Sequence, residues 1–498
     1  ARRTMEVARA EALANAGRGR DAAEQYVRAA EGAHVADRHE LQRRASEQFL
    51  RAGYFAEGTH MLERVLEQAG VEVRRTPLRA IASLVSHRRW LARHGLSPAS
   101  PADRAAAARA ADPSHARAID ALASGAMGLS VVDSIRSADM MSEALRRSLE
   151  ASDRTRLAGA LSWWTAFVAN EGGPAEATTR SILAKAREET LAHGDAYARG
   201  CLSAASGMTE FHLGHFGEAR AHYERGIRTF EEETHGTTKE ASTLHIFHHA
   251  TLAIGGRLDE LSQRTEERVR VSEARGERYA LVNYRQGLMI LRWLAVDAPE
   301  RAEEDLDRAM DGFGVTGFVV QHWFDAWGRI ALHLFRDQRE EARALWERTR
   351  PRLVASLLLR TQFTRTQSFV MEAVTAAARI ESGGLGPMAR ARLGAWARAA
   401  IGHARGEDRA WARALGAVIE ACLLGAYGEA TRARALLEDT LPQLESSELG
   451  LYAALVHERL GARDPSHRAV AEAWAEAEGV TAIASLARAL LPGLSRLG

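Results

Sequence analysis

The sequence predicts an all-α fold: a right-handed α-solenoid of about eleven helical hairpins with a C-terminal capping helix. Three observations predict it. Helix-forming residues dominate almost throughout, and strand patterns are nearly absent. A turn residue recurs along the chain, followed five positions later by a small residue and often four further on by a bulky one. The recurrence has a period near forty: Gly172, Gly214 and Gly256 are 42 apart, and Asp297 and Asp337 follow 41 and 40 further on. A fixed period of that length marks stacked units, none of which can bury its apolar face alone.

The first unit is Gly17, Ala22 and Tyr26. Ala16-Gly17-Arg18-Gly19 interrupts an apolar helical pattern, and a glycine there lets the first helix end in a left-handed cap. Gly53, Gly58 and Leu62 form the second. The period then predicts a unit near Arg93, with Pro98 and Pro101 in a loop, and a degenerate copy at Asp133 and Ala138. Gly172 with Ala177 follows, then Gly214 with Ala219 and Tyr223. Ala219 is expected where the two helices of that hairpin touch, and Tyr223 over the Gly214 turn. Gly256 with Leu261, Asp297 with Ala302 and Leu306, and Asp337 with Ala342 and Trp346 continue the series. A copy around Gly383 and one at Gly428, Ala433 and Leu437 complete it. Gly479 to Leu491 reads as a closing helix over the last apolar face, which the end of a solenoid requires. Loops at Ser97–Arg104 and Glu381–Pro387 divide the chain into 1–96, a central 97–380 and 381–498.

Bulk properties narrow the function. An apolar fraction of 46% is too high for disorder, and a net charge of +1 gives no global field to attract nucleic acid or an anionic membrane. Arg88-Arg89-Trp90 with Arg93 is too small a basic footprint for nucleic acid. The apolar run Ala414 to Tyr427 is broken by Glu420 and falls short of the ~20 residues a membrane span needs. Of the 66 basic residues only Lys185 and Lys239 are lysine, which fits a GC-rich genome. Cys201 and Cys422 are too few and too far apart for a disulfide framework, so a reducing cytoplasm is expected. The chain enters on a helical pattern at Ala1 and Arg2 rather than on Met, as a piece of a longer polypeptide would.

A phosphate-binding loop needs Gly-Lys-Ser/Thr, and neither lysine follows a glycine. Kinase catalytic-loop and metal-site signatures are missing as well. The expectation is a non-catalytic chain with no cofactor and no metal. His245, His248 and His249 share a helix face, with His212, His215 and His222 in the preceding hairpin, but no accompanying spacing gathers the three or four ligands zinc needs. More informative are polar and aromatic residues inside apolar helices: Asp133 and Arg136, Trp163, Glu171, Arg285, Trp293, Gln321, Trp323, Arg360 and Arg365. An inner groove lined by such residues would contact a protein or peptide partner. The competing expectation is that they bond to one another between neighbouring helices and hold the stack. Arg360 and Arg365 would project about 140° apart on a straight helix, so they do not form one clamp.

The turn-small-bulky pattern resembles the tetratricopeptide repeat at a longer period. Ala12–Ala23, Ala45–Gly53, Gly128–Asp139, Trp293–Ala302 and Ser356–Gln362 resemble, more closely, the helical-repeat tail of a large bacterial group abundant in myxobacteria. In that group a serine/threonine kinase domain and an AAA-type ATPase domain precede the tail. The resemblance implies a cytoplasmic interaction and sensing solenoid that regulates attached kinase and ATPase domains. A small-molecule effector sensor and a structural oligomerisation scaffold are the alternatives.

Overall fold

A computed structural model describes residues 2–100, 103–130, 132–311, 313–315, 317–495 and 497, with only the backbone at 36 and 104. The described residues are all-helical. Helices α1 (Arg2–Asn15) and α2 (Gly19–Ala30) form the first hairpin, α3 (Val35–Ala52) and α4 (Phe55–Gln68) the second. Then come α5 (Pro77–His94) and the short α6 (Arg104–Ala111). Hairpins follow from α7 (Pro113–Leu129) with α8 (Ser134–Ala151), α9 (Arg154–Ala169) with α10 (Glu176–His193), and α11 (Ala196–Leu213) with α12 (Phe216–Glu232). The next is α13 (Thr238–Ile254) with α14 (Leu258–Arg275). Two short helices, α15 (Arg278–Tyr284) and α16 (Leu291–Ala295), share one position and face α17 (Pro299–Met310). The series continues with α18 (Val320–Phe335) and α19 (Arg339–Ala355), α20 (Gln362–Glu381) and α21 (Pro387–Arg405), and α22 (Ala410–Ala426) and α23 (Ala430–Ser446). It ends with α24 (Gly450–Leu460), α25 (Pro465–Ala477) and the closing α26 (Ile483–Leu490). None of the described helices is long and apolar enough to cross a membrane.

The unit expected near Arg93 is absent from the repeat course. Helix α7, not α5, packs on α3 and α4, where Gly125 lies against Leu62 and Gly128 against Leu50. Helices α5 and α6 lie on α8 instead. The loop before α6 is tied there by Ala99 N–H donating to Leu149 O at 3.0 Å; Pro101 lies outside the described residues. Tyr223 also departs from its expected seat. Its ring covers Gly207, where a Cβ would come within 2.5 Å, rather than the Gly214 turn. In an antiparallel hairpin a residue nine past the turn meets one about as far before it. Ala219, fully buried, matches its expected place.

The first or inner helix of most hairpins is buried on every side. All ten residues from Ala204 to Leu213 in α11 are buried, as are all nine from Val370 to Ala378 in α20. A run longer than one helical turn leaves no solvated face. Outer helices other than α8, which α5 and α6 cover, bury less, such as the single stripe Ala302, Asp305, Leu306 and Ala309 in α17. One apolar core runs from Leu50 to Leu497, across both loops that divide the sequence.

The inner helices are enclosed because the solenoid winds back on itself. Hydrogen bonds join residues 185 to 233 positions apart. At several junctions the C-terminal ends of earlier inner helices meet the N-terminal ends of later ones. Gln362 N–H at the start of α20 donates to Asn170 O at the end of α9 (3.0 Å). Thr481 and Ala482 N–H, leading into α26, donate to Ala295 O at the end of α16 (2.9 and 3.1 Å). Lys239 Nζ in α13 donates to Met127 O and Gly128 O at the end of α7 (2.7 and 3.0 Å). Orphan carbonyls and orphan N–H groups thus satisfy each other, and the helix dipoles run head to tail.

The turn glycines sit at these junctions. Gly53 lies against Tyr279, Gly172 against Gln362, Gly214 against Trp411 and Gly256 against Leu451. At Gly428 an added Cβ would meet nothing within 4 Å, and the turns at Asp297 and Asp337 take positive φ values of 56° and 60° without glycine. Helix α26 does more than cover the last hairpin. It packs on α16, α18 and α24, and the tail beyond it crosses α20, where Gly493 N–H donates to Glu381 at 3.1 Å.

This geometry separates two glycines of equal conformation, Gly214 (φ 91°) and Gly428 (φ 89°). Gly428→Ala is expected to cost about 1–2 kcal/mol, the left-handed penalty alone. Gly214→Ala adds the overlap with Trp411 and is expected to cost about 1–3 kcal/mol more. Denaturant midpoints followed by two probes check the difference, since a long array need not unfold in two states.

Candidate functional site

One inner position is not a continuous helix. Between α15 and α16 the chain passes through Arg285, an extended Gln286 and a short 3-10 turn, Gly287–Ile290. Gly287 makes the break: it has φ 61°, and a Cβ there would approach Phe324 to 3.3 Å. The break turns three side chains toward Asp305 on α17. Arg292 Nη2 donates to Asp305 Oδ2 at 2.5 Å, Trp293 Nε1 donates to the same oxygen at 2.7 Å, and Arg285 Nε stands 3.6 Å from Oδ1. Glu273 pairs with Arg285 from α14. Arg292 and Arg301 lie over the Trp293 ring at 4.1 and 5.0 Å. Burial pulls the Arg292 guanidinium below its ordinary value, while Asp305 and then Glu266 oppose the shift.

The other side of the break holds amides. Asn283 Nδ2 donates to Tyr279 O at 2.7 Å, and Gln321 Nε2 donates to Asn283 Oδ1 at 3.5 Å. Gln286 is 1% exposed with neither amide atom bonded, and Gln321, also 1% exposed, leaves Oε1 without a partner. The expected residues Arg285, Trp293 and Gln321 therefore gather around one broken helix. Trp323 lies nearby on α18, fully buried, with Nε1 donating to Gln367 at 3.2 Å.

The remaining expected residues lie elsewhere. Asp133 caps α8, and Arg136 pairs with Glu63 at 3.0 Å. Trp163 is buried in α9. Glu171 is exposed and pairs with Arg88 at 2.7 Å. Arg365 grips Glu407 through Nε and Nη2 at 2.7 and 3.0 Å. Gln362 Nε2 donates to Glu407 and Asp408 in the same junction (2.7 and 2.8 Å). Arg360 stands exposed in a 3-10 turn, with no partner among the described residues. Sequence reasoning missed Asp305, Arg292, Gln286 and Glu407. The available signals were Gly287 inside an apolar run and an acid on the buried stripe of α17.

The histidines do not converge. His245 faces Glu231 (3.1 Å), His248 faces Glu224 (3.3 Å) and His249 faces Thr265 (3.5 Å). Glu210, His215 and Glu218 bring ligand atoms within 4.8 Å, but Glu210 is already held by Arg180 at 3.0 Å and His215 at 2.7 Å. A cleft of about 240 Å³ opens between α21, α22 and α23, with Arg405, Arg413 and Asp439 in its wall.

Asp305→Ala leaves Arg292, 3% exposed, with only the more distant Glu266 carboxylate at 3.8 Å. It is expected to destabilise the chain by about 3–5 kcal/mol, read from urea unfolding. A second expectation concerns pH. Burial lowers His212 from 6.5 to about 4. Between those values the unfolded chain binds the proton and the folded chain does not. Stability is therefore lost as pH falls through that window. Asp139, pushed up to about 6 by burial, works in the opposite direction over part of it. The comparison that isolates the histidine is wild type against His212→Leu, whose decline in urea midpoint should be shallower.

No protein-family model matches this chain, and no curated protein matches it.

Proposed function

We propose that this chain is a non-catalytic interaction and sensing solenoid, and that, as its resemblance implies, it regulates attached bacterial serine/threonine kinase and ATPase domains. One observation carries the reading. Inner charged side chains pair with one another around Asp305 and at the Gln362–Arg365–Glu407 junction, while the exposed Leu191, Val354, Met388, Trp396 and Val470 lie on outer helices. Partners would then engage the outside of the stack and shift how its turns seat on each other. The reading places the chain in a reducing cytoplasm, in keeping with Cys201 and Cys422, both free and buried.

A second reading, a small-molecule sensor, is favoured by the unpartnered amides of Gln286 and Gln321 at the broken helix. A thermal-shift screen of small polar metabolites tests it: a stabilising compound should lose its effect in Gln286→Leu.

For the main reading, the immobilised chain should capture a discrete set of proteins from a lysate of its source. The pure chain should release no phosphate from ATP. Turnover that co-elutes with the chain on size exclusion, or capture no different from an empty matrix, contradicts the reading.

A further inference from the structure

We propose that the outer face of α21, centred on Trp396, docks an acidic amphipathic segment of a partner protein. This rests on the interaction reading above and gives it a surface and a chemistry.

Helix α21 holds four arginines, one histidine and no acidic residue. Its buried stripe is Leu393, Gly394, Ala397, Ala400, Ile401 and Ala404. Met388, Arg392 and Trp396, spaced four apart, fall on one exposed stripe about 12 Å long. Met388 is 86% exposed and Trp396 44%. Trp396 is held in place: Arg343 from α19 and Arg392 from its own helix both lie 5.4 Å from the ring. Arg343 is itself fixed by Glu372 at 2.6 Å and Glu347 at 2.9 Å. A rigid aromatic loses little freedom on binding, and Trp, Met and Arg are the residues enriched where proteins meet.

Of the two cations on the ring, Arg343 is neutralised within the chain, whereas Arg392 has no carboxylate partner among the described residues and α21 carries no acid to offer one. A partner carboxylate can pair with Arg392 while an apolar side chain covers Trp396 and Met388. The patch is too small for nucleic-acid backbone tracking.

The test uses the whole chain and a labelled synthetic helix of glutamate and leucine, amphipathic by design, with fluorescence anisotropy as readout. The peptide should bind saturably, and Trp396→Ala or Arg392→Glu should each raise Kd roughly tenfold or more. Arg308→Glu, on the exposed side of α17, should leave Kd unchanged. Circular dichroism checks the fold of each variant, and Arg392→Glu, a surface change, carries the test where Trp396→Ala is unstable. No saturable binding overturns the proposal. So does equal loss in Arg308→Glu, or equal binding of a peptide with glutamine in place of glutamate. Phosphatidylglycerol vesicles and a DNA duplex form parallel arms; tighter binding to either one with the same Trp396 dependence also overturns it. If peptide binding fails while lysate capture persists in the Trp396→Ala/Arg392→Glu double variant, this surface is wrong and the interaction reading stands.

Discussion

The fold depends on inner helices standing end to end. A hairpin solenoid could remain an open spiral, but here the C-terminal carbonyls of α9 and α16 accept N–H groups from the chain entering α20 and α26. Each such bond removes two helix-end defects at once. The arrangement accounts for residue choice far from any site. Where the N-terminal ends are open, as in α7, α9 and α11, Asp112, Asp153 and Asp195 cap the helix with their side chains. Where they rest on a helix below, as in α13, α20, α22, α24 and α26, no side chain caps them. Glycine stands at several of the turns on which another segment packs, such as Gly214 and Gly256, though Asp297 holds a positive φ of 56° in the turn whose Ala295 carbonyl receives Thr481.

Closure changes what the concave side can do. An open solenoid offers its inner helices to a partner; here they are offered to each other. The inner charges form pairs, half-buried Arg365 with Glu407 and buried Arg292 with Asp305, and breaking the second strands its partner in a poorly solvated site. Helix α15–α16 is the exception that the stack tolerates. Its missing backbone bonds are offset by Asp305, which receives both a guanidinium and an indole N–H. What stays uncovered is on the outside, as Met388 and Trp396 on α21 are.

Much of this was legible in the sequence because it is local. The forty-residue period, the small residue five past most turns and the glycine caps follow from contacts within one hairpin. Ala219 and the αL turn at Gly214 are examples. The polar set around Arg285, Trp293 and Gln321 was also visible, as polar letters in apolar runs. What they face was not, because Asp305 looks like any acid on an amphipathic helix. The seat of Tyr223 was misjudged by following the turn instead of the antiparallel register. The displacement of α5 and α6 onto α8 had no periodic signal, since period counting assumes that every forty residues join the stack. Stacking across some two hundred residues leaves no local pattern except the loss of caps.

The most direct test of end-to-end stacking is residue-resolved hydrogen exchange at the N-terminal amides of the stacked helices. The amides of Gln362, Thr481 and Ala482 should exchange as slowly as those in the middle of α20, because each is bonded to a carbonyl of the turn below. Exchange at the fast rate usual for first-turn amides of an isolated helix would contradict the stack and leave an open spiral.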